Sequence, residues 1–285
     1  MSTVKQRKPV RQAHQLLLVG VGIALTILVL VIPLVLIFAK AFAGGWQLLL
    51  ANLQEDYLRN ALALTVFTTL LTVPCNLLFG ILLAWCVTHY RFRGRDLLLT
   101  LVDIPYATSP VVAGLCYLVV FGMESTLGQW FSAHDIQLMF AWPGIVMVTI
   151  FVTTPYIARI LIPLMQVQGS EEELAALSLG ASGWTIFWRV TLPNIKWGLL
   201  YGVVLTSARA VGEFGAVSVV SGSIMNQTLT MPLLVEQLNN DYKTAAAFTA
   251  AAILACMAVI TLILKTVMEW RVNREVAQRK VVPAD

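Results

Sequence analysis

The chain has 285 residues, of which 58% are hydrophobic and 12% charged, with a mean hydropathy of +0.80. A soluble domain carries about 25% charged residues, so a water-soluble globular protein is excluded and the bilayer is the expected solvent. The formal net charge of +4 comes from short basic clusters beside apolar runs, a membrane-topology pattern and not a nucleic-acid footprint.

The N-terminus carries Lys5, Arg7, Lys8 and Arg11, followed by an uncharged run over 16–39. Ala39-Lys40-Ala41 has the look of a signal-peptidase site, but the run exceeds the roughly 7–15 residues of a secretory apolar region and is read as a first transmembrane helix. A hydrocarbon core of about 30 Å needs about 20 helical residues. Five further segments meet that length: 61–87, 97–121, 142–165, 198–220 and 245–267. Prolines 33, 74, 105, 110, 155 and 163 fall within or at the ends of these spans and predict kinked helices, since neighbouring helices can satisfy the backbone groups they free.

With the N-terminus placed in the cytoplasm, the inner connections hold Lys5, Arg7, Lys8, Arg11, Arg91, Arg93, Arg95, Arg189, Lys196, Arg271, Arg274, Arg279 and Lys280. The outer loops hold only Lys40, Arg59 and Lys243. That asymmetry predicts an all-α integral membrane protein with six transmembrane helices and both termini cytoplasmic. Residues 1–57 form the N-terminus, first helix and outer loop, 58–270 a transmembrane domain with helices 2–6, and 271–285 a cytoplasmic tail. In the outer loop 122–141, Trp130, Phe131, Phe140 and Trp142 fit an interfacial aromatic belt, with a ligand-binding aromatic box as the alternative.

Chemistry is sparse. Cys75, Cys86, Cys116 and Cys256 sit in apolar runs without a C-x-x-C pair and read as small packing residues. His14, His89 and His134 lack zinc-enzyme spacing, no G-x-S-x-G elbow occurs, and no P-loop is present. The chain is therefore expected not to be an enzyme and to bind no cofactor. If transport is energised by ATP, another polypeptide carries the motor.

The charges left inside the membrane are informative, because each costs about 2.5–3.5 kcal/mol at a helix centre. Arg209 and Glu213 lie near the middle of the fifth predicted span, and their spacing of four puts both on one helix face. The pair either holds helices together or presents Arg209 to a translocation pathway while Glu213 fixes its rotamer. Ala208, Gly212 and Gly215 supply small surfaces for close helix packing. Arg159 is near enough to an inner span end to snorkel, and Asp103 is placed to cap a local helix start.

The longest polar interruption of the second half runs over 170–193. Ser170 with Glu173 is a capping-box pattern that predicts a short helix. Gly180 and Gly183 punctuate it, and a second apolar segment carrying Trp184 and Phe187 runs over 184–190 until Pro193 stops it. Such a helix-turn-helix either lies on the bilayer or inserts into a groove of a soluble partner.

The loop resembles the cytoplasmic signature of type I ABC importer permeases, in which an E-A-A triplet is followed by three residues, Gly, nine residues and Ile-x-Leu-Pro. Ala175, Ala176, Gly180, Val190, Leu192 and Pro193 match, while Leu174 stands at the motif glutamate and Glu173 is one residue early. Residues 212–216, Gly-Glu-Phe-Gly-Ala, resemble the fifth-span signature of the sulfate and molybdate permeases. Residues 103–114 and 227–232 are similar to the W-type branch of that group.

The resemblance implies a coupling hairpin between helices 4 and 5 that docks in a cleft of a cytoplasmic ATPase. It also implies a heterodimer with a homologous T-type permease, two ATPase copies holding ATP-Mg, and a periplasmic sulfate/thiosulfate-binding protein, all at the bacterial inner membrane. The expected function is oxyanion import, sulfate or thiosulfate first and molybdate or tungstate as the alternative. An ion-coupled secondary carrier using Glu213 and Asp103 remains the competing transport reading. A membrane enzyme built on Asp103, Glu213 and His89 is the competing non-transport one.

Overall fold

The structure is a computed structural model that describes the backbone of residues 9–279 and the side chains of residues 16–271. Lys5, Arg7, Lys8 and Lys280 therefore lie outside the described residues. Among the described residues the regular structure is all helix, with no strand. In order it forms α1 (Pro9–Thr26), α2 (Ile32–Phe42), α3 (Gly45–Gln54), α4 (Asp56–His89), α5 (Arg95–Ala107), α6 (Pro110–Phe121), α7 (Thr126–Ser132) and α8 (Trp142–Thr153). There follow α9 (Pro155–Gln168), α10 (Glu171–Ser178), α11 (Gly183–Ile186), α12 (Leu192–Val211), α13 (Gly215–Val220), α14 (Met231–Asn240) and α15 (Thr244–Arg279).

Four stretches are long and apolar enough to cross a membrane: Leu16–Phe42, Asp56–His89, Trp142–Gln168 and Thr244–Arg271. The third expected span is not a single helix. α5 and α6 meet at 108°, because Pro110 forces the residue before it out of the helical region and Thr108 and Ser109 are both extended. The pair counts as a fifth crossing only if taken together. The fifth expected span also breaks: α12 ends at Val211, Gly212 to Phe214 are non-helical, and the six-residue α13 follows.

Pro193 does not stop a helix. A π-helical turn, Phe187–Thr191, precedes it, and the Leu192 N–H reaches back to the Phe187 carbonyl. A proline clashes with the carbonyl four residues earlier and cannot donate to it; a widened turn relieves that clash and the helix runs on. Ile27–Val31 stands in the same relation to Pro33.

The described interior has a small centre, Leu83 and Val87 of α4 with Ala158 of α9, and two main ones. One gathers Leu58 and Ala61 of α4, Ile145 and Val148 of α8, Ala216 and Val220 of α13, and Leu234 and Leu238 of α14. The other joins Ala84 of α4, Ile157 and Leu161 of α9, and Ile195 of α12. Between them Pro155 interrupts the Trp142–Gln168 span. Its missing N–H leaves the Phe151 carbonyl to the Thr154 N–H, three residues on at 3.4 Å. That in turn frees the Ile150 carbonyl, which accepts from the Thr154 hydroxyl at 2.7 Å and from Asn76 Nδ2 at 3.3 Å. Asn76, fully buried on α4, also donates to Thr153 at 2.6 Å and accepts from Thr154 at 3.2 Å. A kink at membrane depth is thus satisfied by a neighbouring helix, as lipid requires.

Close crossings use glycine. A Cβ at Gly80 would lie 2.6 Å from Ile157 Cγ2, and one at Gly114 would lie 2.7 Å from the Ala216 carbonyl oxygen. Cys75, Cys116 and Cys256 are exposed and only Cys86 is half-buried, so packing is not what places most of the cysteines.

Candidate functional site

The polar hairpin begins as expected with α10 after Ser170, but the capping box does not close. The Ser170 side chain makes no cap hydrogen bond, and the Glu173 carboxylate turns towards the bundle. Its Oε2 lies 2.5 Å from His89 Nε2 at the end of α4, and its Oε1 accepts from the Thr191 hydroxyl at 2.5 Å. Neighbouring helical positions differ by about 100°. Leu174, at the position where the motif has glutamate, therefore faces outward and is 58% exposed.

Gly180 closes α10 with φ +85°. The Ala181 N–H bonds the Ala176 carbonyl at 3.1 Å and the Gly180 N–H bonds the Leu177 carbonyl at 2.9 Å, the Schellman arrangement that demands a left-handed residue at this point. Ser182 then caps α11 by accepting from the Thr185 N–H.

Ala175, Gly180, Trp184 and Pro193 are exposed, whereas Glu173, Ala176, Phe187 and Leu192 are half-buried. Phe187 is held between Trp184 and Trp85 of α4. Leu179 and Trp184 are among the most open apolar side chains of the chain, at 88% and 72%. With Leu174, Leu177 and Trp188 they form an apolar tip of the size and kind that marks an interaction surface.

Arg209 and Glu213 pair, though not on one continuous helix. Arg209 occupies the last turn of α12, where a cation complements the helix dipole. Glu213 sits in the break, and its Oε1 accepts from the Ala216 N–H at 3.2 Å, tying down the first turn of α13. Its Oε2 approaches Arg209 Nη1 at 2.7 Å as an ion pair without hydrogen-bond alignment. The Glu213 side chain is 1% exposed and that of Arg209 31%, so the guanidinium reaches the surface from a sealed carboxylate.

Around this break, a Cβ on Gly215 would contact Pro110 and Val111 at 3.2–3.3 Å, so the α12/α13 break abuts the start of α6. Ala208 is half-buried. A Cβ at Gly212 would meet only the carbonyl oxygens of Ala208 and Arg209 in its own helix, at 3.6 and 4.0 Å.

A second ion pair replaces the capping reading of Asp103 and gives Arg159 a partner. Arg159 Nε donates to Asp103 Oδ1 at 2.8 Å, and its guanidinium lies 4.4 Å from the centre of the Tyr106 ring. Asp103 is inside α5 and caps nothing. The 56 residues between the partners hide this contact from local spacing rules.

Beyond α6, α7 and residues 135–139 enclose a cavity of about 230 Å³ lined by Phe121, Met123, Phe131, Asp135 and Met139. The exposed Trp142 lies edge-on to Phe67 at 5.3 Å.

A bundle of apolar helices, broken and satisfied internally, with ion pairs among them and an apolar-tipped polar hairpin, has the make-up of a multi-span permease component. The chain belongs to the family of binding-protein-dependent transport system inner membrane components, whose description matches residues 76–274.

Among its relatives, the sulfate transport system permease protein CysW of Escherichia coli (strain K12) is 56% identical over 258 residues, covering 90% of this chain and 89% of that one. The sulfate transport system permease protein CysT of the same organism is 33% identical over 216 residues, 76% of this chain and 78% of that one. A crystal structure of a bacterial alginate ABC transporter, in complex with an alginate-bound periplasmic protein, matches with a TM-score of 0.74 at 16% identity. It covers 90% of this chain and 93% of that one, and it establishes the shared fold.

Proposed function

We propose that this chain is the W-type membrane subunit of an ATP-driven sulfate/thiosulfate importer. The observation that carries the reading is the 56% identity, over nine-tenths of the chain, to a sulfate permease. The chain crosses the inner membrane six times with both termini in the cytoplasm, α5 with α6 forming one crossing and α12 with α13 another. The Lys and Arg distribution supports that orientation. Residues 58–270 constitute the transmembrane domain, flanked by the N-terminal segment 1–57 and the tail 271–285.

The working unit is a heterodimer with a homologous T-type permease, two copies of an ABC ATPase that hold ATP-Mg, and a periplasmic binding protein that delivers the anion. The 33% identity to a CysT protein supports a homologous pair of permeases. The hairpin 170–193 inserts its apolar tip into the ATPase. Ala175, Gly180 and Trp184 make the contact, while Ala176, Phe187, Leu192 and Pro193 hold its shape.

ATP binding draws the hairpins of the two permeases together and favours an outward-open pathway, and hydrolysis returns the inward-open one. Such a cycle requires that the partner contacts differ between two states. Arg209 offers its guanidinium to the passing oxyanion while Glu213 fixes it at the α12/α13 break.

The test is uptake of radiolabelled sulfate by proteoliposomes containing the whole complex. Gly180→Asp, or removal of residues 171–179, is expected to abolish ATP-driven uptake in a chain that still inserts; normal uptake would sink the coupling assignment. Arg209→Lys is expected to lower uptake, and an unchanged rate would remove a specific guanidinium role. Molybdate entering in preference to sulfate would reassign the substrate. Uptake that persists without ATP and collapses with the proton gradient would replace the ATPase reading.

A further inference from the structure

The hairpin is joined to the bundle at one polar contact that sequence motifs do not reveal. His89 is the last residue of α4. Its Nδ1 lies 3.2 Å from the Trp85 carbonyl and 3.0 Å from the Thr88 hydroxyl, and its Nε2 faces the Glu173 carboxylate. The Trp85 carbonyl can only accept. The Thr88 hydroxyl lies 2.7 Å from the Ala84 carbonyl and can turn its proton to that carbonyl or to Nδ1. The Thr191 hydroxyl donates to the other carboxylate oxygen and cannot also supply the Nε2 contact.

A proton on Nε2 donates to the Glu173 carboxylate, so the contact is a side-chain hydrogen bond between the end of α4 and α10.

This junction ties three elements together. α4 supplies His89 and Trp85, α10 supplies Glu173, and the π-turn before α12 supplies Thr191 and Phe187. The acid next to it is engaged separately, since Glu172 accepts from Asn194 Nδ2. α9 contributes the uncharged Met165 and Gln168 to the surrounding cleft, and Gln168 donates to the Asn194 carbonyl at 2.7 Å. The one nearby cation of α12, Lys196, is placed over Trp197. Glu173 and Glu172 are thus the acidic groups at His89, and Glu173 is the one in contact.

We propose that His89, Glu173 and Thr191 form a hydrogen-bonded latch that makes the coupling hairpin and the end of α4 move as one body. The proposal rests on the coupling role given to the hairpin above. His89 and Glu173 are positioning residues in it: neither needs to touch the ATPase, and the acidic side chain displaced by one position from the family motif has an internal task. An opened latch lets the tip move with the ATPase while the span stays behind, so that ATP is hydrolysed without transport.

The experiment uses the full complex in lipid nanodiscs, with hydrogen exchange at residues 171–178 and, in proteoliposomes, sulfate imported per ATP hydrolysed. His89→Gln and Glu173→Gln are each expected to speed exchange of α10 about tenfold, equivalent to about 1.4 kcal/mol, while amides within the spans are unaffected. Both should lower sulfate imported per ATP, and the double variant should go no further than either single change, because the two residues act through one contact.

Exchange within twofold of the wild type in both single variants, or full additivity in the double, would overturn the latch. A wild-type complex that hydrolyses ATP without importing sulfate would instead overturn the coupling role of the hairpin, a separate outcome.

Discussion

The same chemical change at two glycines should have opposite effects. Gly114 lies in α6 where that helix crosses α13. An added methyl would stand 2.7 Å from the Ala216 carbonyl oxygen and 3.0 Å from Val219 Cβ. An ordinary carbon–oxygen contact is about 3.3–3.6 Å, so Gly114→Ala must push the two backbones apart by about 0.6–0.9 Å.

The displaced element is anchored next door by the Glu213 contact to the Ala216 N–H, and cannot drift freely. Overpacking of this kind costs about 1–3 kcal/mol, against roughly 1 kcal/mol regained by removing a glycine from a helix. The net loss is about 0–2 kcal/mol, centred near 1.

At Gly212 the backbone has φ −91° and ψ 9°, which an L-residue accepts, and a methyl meets only carbonyl oxygens at 3.6–4.0 Å. Gly212→Ala should gain about 0.4–1 kcal/mol by restricting the unfolded chain. The two variants should therefore differ by about 2 kcal/mol, roughly 30-fold in the unfolding equilibrium. SDS titration of the purified chain in mixed micelles, followed by tryptophan fluorescence, reads the difference. A Gly114→Ala chain as stable as the Gly212→Ala chain would refute the tight α6/α13 crossing.

Three further outcomes follow from other sites. Glu213→Ala removes both the partner of Arg209 and the acceptor for the Ala216 N–H; breaking a fully buried pair costs about 3–5 kcal/mol. With Arg209 31% exposed, about 2–3 kcal/mol is expected in the same titration, and less for Glu213→Gln, whose amide oxygen still accepts. Asn76→Leu strips the Ile150 carbonyl and Thr154 hydroxyl of a partner and should destabilise by about 1–3 kcal/mol, a loss that a matched Thr65→Val change would not reproduce at the Pro155 kink in amide exchange of residues 150–154. Asp103→Asn should alter stability by no more than about 1 kcal/mol, because both side chains of that ion pair are about half-exposed; a larger drop would mean the pair is sealed by a partner.

The apolar stretches were legible because hydropathy is a local sum, and the longest runs return as single helices or gently interrupted ones. The breaks at Thr108–Ser109 and at Gly212–Phe214 were not. A window over 97–121 or 198–220 averages across them, and Pro105 and Pro110 in the first read the same whether a helix bends or ends. Pro193 misled in the other direction, since the π-turn that accommodates it has no residue signature.

Of the candidate site, the hairpin and the Arg209/Glu213 pair were visible as local patterns. Glu173 to His89 and Asp103 to Arg159 were not, being separated by 84 and 56 residues. Gly180 could be explained from sequence only as punctuation; the two backbone bonds that require its left-handed conformation belong to the folded turn.

The apolar first span has a consequence for how the molecule is made. Leu16–Phe42 contributes nothing buried over its most apolar window, and the helix that lies along its α2 portion is α15, the last to be synthesised. On emerging from the ribosome, this segment must hold its place in lipid by hydropathy alone while every other helix is still absent. Its contact with α15 then waits for the final span, and even in the finished bundle lipid, more than protein, surrounds its apolar face.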